Sequence, residues 1–330
     1  MDKSAIKGHK LQKGDIIGLI APSFPFPEEG ENDYFNWYLK GKAEIESMGF
    51  KLKESKNLRK SKWWFAGTSK ERAEDINTMF ADKDVKAIIA HDGGYSAIAI
   101  LEHLNYELIK NNPKPLLGFS DITNLHSAIY TKTGMVGFHT ELLNYSLGRI
   151  WNVTKPDHKE YSKNLLLKVL TETSPLGEIT PLTNWEGWKE GKAEGTLFGG
   201  ALSLLCSLIG TPYFPTNEEL SGAILFWEMD DAKTYRLQRC LYQLKYAGIF
   251  DVISGMIIGK LHNIMPTGWD GMEQPAYKEV ILDVLKAHNF PILAEVDFGH
   301  ESINIPMPIG TKALINTTSL EFEQLEGAVI

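Results

Sequence analysis

Through the first 150 positions, apolar residues come in short unbroken runs that alternate with segments of helical spacing. GDIIGLIAPS (14–23) is apolar almost throughout and stops at Pro-Ser, the pattern of a strand buried on both faces. NWYLKGKAEIESMGF then keeps a helical period and ends near a glycine. FKLKESKN reads as a second strand, and SKERAEDINTMFAD as a helix opened by a serine with acids early. VKAIIAHDGG is another continuous β-type run, and YSAIAILEHLNYELIKNN reads as one helix. KPLLGFS is a short strand leading straight into the helix DITNLHSAIYTKTG. Strands of this kind, alternating with helices, predict a parallel sheet covered on both faces.

The alternation fades between Ile150 and about Gly195. HKEYSKNLLLKVLTET keeps helical spacing, whereas SPLGEITPLTNWEGWKEGKAEG is rich in Gly, Pro and Trp and reads as a crossover between domains. The longest apolar run, LFGGALSLLCSLIG (197–210), falls short of the roughly 20 residues a membrane span needs. Closed by Thr211-Pro212, it predicts a buried helix. GAILFWE comes next as a strand, AKTYRLQRCLYQLKYAG as a helix ending at Gly248, and three further strand-like runs complete the chain. The expected organisation is an α/β domain over 1–150, a crossover over 151–190 and a smaller β-rich domain over 191–330. Neither an internal repeat nor a low-complexity tract interrupts it.

Length supports two domains, since 330 residues exceed one comfortable core. A net charge of −8, with no Lys/Arg cluster, argues against nucleic acid as a partner. Cys206 and Cys240 each lie in an apolar stretch and predict buried structural thiols; two cysteines supply neither a disulfide framework nor a metal knuckle. The opening MDKSAIKGHKLQKGD lacks the apolar centre of a secretory signal, so the expected location is the cytoplasm, with no membrane contact.

In open α/β sheets ligands bind beyond the carboxyl ends of the strands. Those ends are Pro22-Ser23, His91-Asp92-Gly93-Gly94 and Ser120-Asp121 in the first half, and Glu228 and His300 in the second. They offer a serine, a carboxylate and a histidine, the parts of a nucleophilic triad. Ser120 falls at a helix N-terminus, where it could serve as an ordinary cap or as a nucleophile next to unpaired N–H groups. Because Asp121-Ile122 come directly after it, the motif is not the G-x-S-x-G elbow. Gly93-Gly94 is either a tight turn or half of an oxyanion hole. Glu228 ends an apolar strand and needs a partner if buried, with Asp230 and Asp231 as competitors for its role. His300 sits in a turn, whereas His126 lies mid-helix as a core histidine would. His139 begins HTE, a fragment of a zinc-deaminase signature whose P-C-x-x-C half is missing, so no metal site is expected. Glycine fingerprints for nucleotides are absent as well, and no cofactor is expected.

Taken together, GDIIGLIAPS, GTSKERAEDINTMFADKDVKAIIAHDGGY, GFSDITNLHSAIYTKTG, GTLFGGALSLLCSLIGTPYFP, GAILFWE and FGHESINIPMPIG resemble the LD-carboxypeptidase family of serine peptidases, over nearly the whole chain. That family includes murein tetrapeptide carboxypeptidases and microcin C immunity peptidases. The resemblance implies a flavodoxin-like N-terminal domain, a smaller β-rich C-terminal domain and a homodimer. It implies Ser120 as nucleophile, Glu228 as acid, His300 as base, and an oxyanion hole from the N–H groups of Gly94 and Asp121. Trp185 and Trp188 are candidates for an aromatic wall against the substrate, with interface packing the alternative.

The chain departs from the family where R-G-G-Y-G is typical, reading Asp92-Gly93-Gly94-Tyr95-Ser96, and Ala201 stands where asparagine is usual. Asp92 therefore becomes a candidate substrate contact that cannot capture a terminal carboxylate as arginine would. The expected reaction is hydrolysis of an amide in a small peptide, with murein tetrapeptide first and a peptidyl or aminoacyl nucleotide second. A catalytically silent two-domain binding protein is the third reading, in which Ser120, Glu228 and His300 have no need to meet.

Overall fold

The computed structural model describes residues 5–30, 32–268, 271–301 and 303–330. Five strands form the parallel part of a first sheet: β1 (Ile16–Ile20), β2 (Lys51–Glu54), β3 (Val85–Ala90), β4 (Leu116–Gly118) and β5 (Gly137–His139). They lie in the order 2-1-3-4-5, the flavodoxin-like order, whose reversal between β1 and β3 marks a ligand crevice. Each crossover is helical: α1 (Asp33–Ser47), α2 (Ser69–Ala81), α3 (Tyr106–Asn111) and α4 (Thr123–Thr133), with α5 (Pro156–Thr171) after the sheet. The cap of α2 falls one residue before the expected serine. Thr68 accepts from Glu71 N while Glu71 accepts from Thr68 N, a reciprocal cap worth about 1 kcal/mol.

Three expectations change. The predicted single helix over 95–112 is a 3-10 segment, Ala97–His103, followed by α3, because Asn105 caps a new helix by accepting from Leu108 N. The crossover region is more ordered than its composition suggests, for it contributes β6 (Gly177–Glu178) and β7 (Glu186–Lys189) to a second sheet. The apolar run 197–210 is not one helix. It is the end of β8 (Lys192–Ala201) followed by the short α6 (Leu202–Leu208). The run stays in the ladder with β9 as far as Ala201 opposite Glu228, and a Cβ on Gly199 would stand 1.8 Å from Phe226 O, a backbone approach that belongs to a strand and leaves no room for helical side chains.

The second sheet and its helices continue with β9 (Ile224–Glu228), β10 (Asp230–Lys233), α7 (Thr234–Tyr246), β11 (Gly255–Lys260), β12 (His262–Met265), α8 (Tyr277–Val284) and β13 (Ile292–Gly299). Four of these strands, β8-β9-β11-β13, are parallel neighbours, while β10 and β12 pair apart as a short parallel ribbon. The chain then returns to the first sheet: β14 (Met307–Ile309) pairs antiparallel with β5. It ends in β15 (Lys312–Asn316) and β16 (Glu321–Gln324), which extend the second sheet beside β8. The buried side chains form one continuous core through both sheets.

Candidate active site

Both parallel sheets aim their carboxyl ends at one cleft of about 1070 Å³. From the first sheet come Phe24 after β1, Asp92–Tyr95 after β3 and Ser120 after β4. From the second come Ala201 at the end of β8, Met229 and Asp230 after β9, and His300 after β13. The two sets of ends are stitched at α4, where Thr123 Oγ1 accepts from Ala201 N at 2.9 Å and a Cβ on Gly200 would collide with Thr123.

Ser120 adopts φ 59° on the turn from β4 into a 3-10 segment, Ser120–Ile122, that leads into α4. That left-handed conformation costs a non-glycine residue about 1–2 kcal/mol. Neither the 3-10 segment nor α4 receives a side-chain cap, so the ordinary cap reading of Ser120 finds no support here. The hydroxyl instead opens on the cleft from a strained strand-to-helix turn, as the nucleophile of an elbow does. A Cβ built on Gly93 would lie 3.0 Å from Ser120 Oγ, so only glycine lets the backbone after β3 approach this closely. Neither Gly94 N nor Asp121 N has a hydrogen-bond partner among the described residues, which leaves both donors available next to the serine.

His300 Nδ1 lies 2.7 Å from Glu228 Oε2, and Glu228 is fully buried at the end of β9. Its ring is held by the edges of Phe119 and Tyr145, and the Tyr145 hydroxyl donates to His300 O at 3.0 Å. Burial alone pulls the pKa of His300 down. The carboxylates of Glu228, Asp230 and Asp92 outweigh it and leave the imidazole more basic than usual. Glu228 and His300 therefore meet as expected, and Ser120 shares their cleft.

Sequence reasoning missed what holds the turn. Asp121, fully buried, accepts from Ser23 Oγ at 2.5 Å, from Ser96 N and Ala97 N at 2.7 Å each, and from Asn124 Nδ2 at 2.8 Å. Arg72, also buried, donates to Pro22 O, Ser96 O and Ser96 Oγ. One ionic network thus locks the ends of β1, β3 and β4 together. An arginine inside amphipathic α2 reads as a surface charge in the sequence; only its register against Ser96 reveals the role.

Asp92 lines the cleft, accepts from Gly93 N at 2.9 Å and takes the Tyr34 hydroxyl as a second donor. Arg149, Arg236 and Arg239 supply cations along the same cleft, and Trp37 stacks beneath Arg149. Trp185 and Trp188 are not among the lining residues. Trp185 is buried against Phe322 and donates to Asp297 Oδ2 at 3.0 Å, while Trp188 donates to Glu186 and lies near Tyr277. β7 pairs with β13 and so carries this segment into the sheet, which is why the aromatic wall expected from these two tryptophans does not form in the cleft. The wall comes from Phe24, Tyr34, Trp37, Tyr95 and Tyr145 instead.

The remaining candidates are accounted for. His126 sits in the core with Nε2 2.9 Å from Gly118 O. His139 is buried among Phe119, Phe226 and Phe298, with burial driving its pKa well below the usual range. Cys206 is buried and Cys240 half-buried, the latter lining the cleft. Among the described residues, no three His, Cys, Asp or Glu side chains gather as metal ligands, and no helix is long and apolar enough to cross a membrane.

A strained serine, a carboxylate-bound histidine and free backbone N–H groups thus line one cleft between two parallel sheets, the kind of constellation found in hydrolases of the nucleophilic-serine class. The LD-carboxypeptidase N-terminal domain matches residues 17–140 and the LD-carboxypeptidase C-terminal domain residues 194–315, and the chain belongs to this family. The probable murein peptide carboxypeptidase of Bacillus subtilis is 34% identical, over 94% of this chain and 92% of the relative. The microcin C7 self-immunity protein MccF of Escherichia coli is 30% identical over 93% and 92%. Among solved structures, MccF in complex with glutamyl sulfamoyl guanosine superposes with a TM-score of 0.88 at 26% identity, covering 98% of this chain and 99% of that one. Muramoyltetrapeptide carboxypeptidase from Oxalobacter formigenes shares the fold, with a TM-score of 0.77 at 23% identity over 93% and 97%.

Proposed function

We propose that this protein is a cytoplasmic, homodimeric LD-carboxypeptidase that hydrolyses murein tetrapeptide and releases its terminal D-alanine. The observation that carries the reading is the 2.7 Å contact of His300 Nδ1 with buried Glu228, opening on the same cleft as the strained Ser120. His300 takes the Ser120 proton through Nε2 as Oγ attacks the carbonyl carbon between the diamino acid and D-alanine, and Glu228 steadies the imidazolium. The N–H groups of Gly94 and Asp121 receive the developing oxyanion, worth about 3 kcal/mol per donor. The C–N bond then breaks, His300 protonates the departing amine, and D-alanine leaves an acyl-serine. Water, deprotonated by the same histidine, resolves the ester and restores Ser120.

A second reading has its own support: the high structural likeness to MccF and the aromatic wall, which offers stacking faces for a base. In that reading the scissile amide belongs to a peptidyl or aminoacyl nucleotide. Purified protein is therefore assayed for D-alanine release from murein tetrapeptide and for hydrolysis of an aminoacyl sulfamoyl adenosine, beside Ser120→Ala. D-alanine released by the parent, with kcat lowered at least about 10⁴-fold in the variant, is the expected result. Turnover of the nucleotide alone transfers the function to the second reading, and an active Ser120→Ala overturns the nucleophile.

A further inference from the structure

The triad uses one carboxylate and one ring nitrogen of His300, yet a second carboxylate stands at the other nitrogen. Glu228 and Asp230 are two residues apart in extended chain, so both side chains leave the same side of it. Glu228 Oε2 sits 2.7 Å from Nδ1, while Asp230 Oδ2 lies 3.9 Å from Nε2. Asp230 is itself held: its Oδ1 is 2.6 Å from Nδ1 of His262, whose strand β12 runs parallel to β10. In the proposed mechanism Nε2 accepts the Ser120 proton, so Asp230 stands beside the atom the nucleophile must reach.

We propose that Asp230, held by His262, is a positioning residue that competes with Ser120 for the Nε2 face of His300 until substrate binds, and that a substrate ammonium group takes over Asp230 and frees that face. The inference rests on the triad reading above. Charge near the histidine favours it. Asp92, Glu228 and Asp230 all act on the imidazole as anions; Tyr145 packs on the ring, and the buried His139 is near enough to interact with it. Exposed Asp231 lines the same stretch of cleft as Asp230 and Asp92. Arg149, Arg236 and Arg239 line the cleft too, yet none of them offsets the anions enough to keep His300 from becoming more basic than usual. A cation on the substrate, placed against Asp230, offsets one of the anions that make the histidine more basic than usual and leaves its Nε2 face to Ser120.

The test compares two peptides, one ending in L-lysyl-D-alanine and one with the same lysine Nε-acetylated, using the parent, Asp230→Asn and His262→Gln. Initial rates of D-alanine release are measured against pH. The parent is expected to favour the free amine by about tenfold in kcat/KM. Asp230→Asn is expected to erase that preference and to move the acid limb of kcat/KM down by about one pH unit, since loss of an anion lowers the pKa of the base. His262→Gln, which keeps the carboxylate but loosens it, shifts the limb the same way by less. An acid limb and an amine preference unchanged in both variants overturn the proposal. If Ser120→Ala or His300→Ala retains parental activity, the triad itself fails, which separates that outcome from failure of the role given to Asp230.

Discussion

Ser120, the proposed nucleophile, carries its hydroxyl on a left-handed backbone. Ser120→Gly removes the strain as well as the hydroxyl, whereas Ser120→Ala keeps the strain. Glycine is therefore expected to be the more stable variant by about 1 kcal/mol in urea denaturation, although it is the freer residue when unfolded. Equal stability, or a more stable alanine variant, would show that the turn stores no strain. Asp121 makes the opposite prediction. Replacing it with alanine takes the acceptor from Ala97 N and Asn124 Nδ2, leaves Ser96 N and the Ser23 hydroxyl only each other and Ser96 Oγ, and removes the carboxylate next to the buried Arg72 guanidinium. A loss of about 3 kcal/mol or more is expected from its melting behaviour, and a melting temperature within a degree of the parent would refute the network's importance. At this scale the sequence marked Ser120, Glu228 and His300 because polar residues at the ends of apolar strands are conspicuous. It did not mark Arg72 or Ser96, nor the part Ser23 plays, because their significance depends on which atoms face Asp121.

Elements carry the next level of organisation, and β5 shows it best. Its end places Glu141 wholly inside the protein, with Ser146, Asn304 and Trp151 as polar neighbours, and burial lifts the carboxyl pKa to about 7. A folded pKa above the unfolded value of about 4.3 means that the folded state holds the proton longer. Stability therefore falls as pH rises from about 4.5 through about 7 and levels off above that. Glu141→Gln removes this dependence. Its stability relative to the parent is expected to climb by about 3 kcal/mol between pH 4.5 and 7.5 in parallel denaturation curves, and a flat difference would disprove the buried neutral acid. Element boundaries were partly legible. The strands β1, β3, β4 and β9 were plain because a two-sided burial leaves no polar alternation, whereas β8 and α6 merged into one apolar run. Only the ladder of β8 with β9, which runs as far as Ala201 opposite Glu228, shows where strand gives way to helix.

At the scale of the whole molecule, the two sheets share one core and the chain crosses between them more than once. β14 leaves the second half to pair with β5, and Thr123 ties α4 to the end of β8. Unfolding is accordingly expected as a single calorimetric transition, with van't Hoff and calorimetric enthalpies in agreement. Two resolved transitions would mean that the halves fold independently. Sedimentation is expected to return twice the 37.0 kDa chain mass if the proposed homodimer forms, and the single-chain mass would refute it. The sequence by itself determined the parallel sheet of the first half and the residues that could do chemistry, because periodicity and strand ends are local properties, whereas the parallel core of the second sheet emerged only in the structure. Only the tertiary structure decided that Trp185 and Trp188 turn away from the cleft, that Ser120 caps nothing, and that Asp230 faces His300. These depend on register between strands far apart in the chain, and register is settled by packing across the whole core.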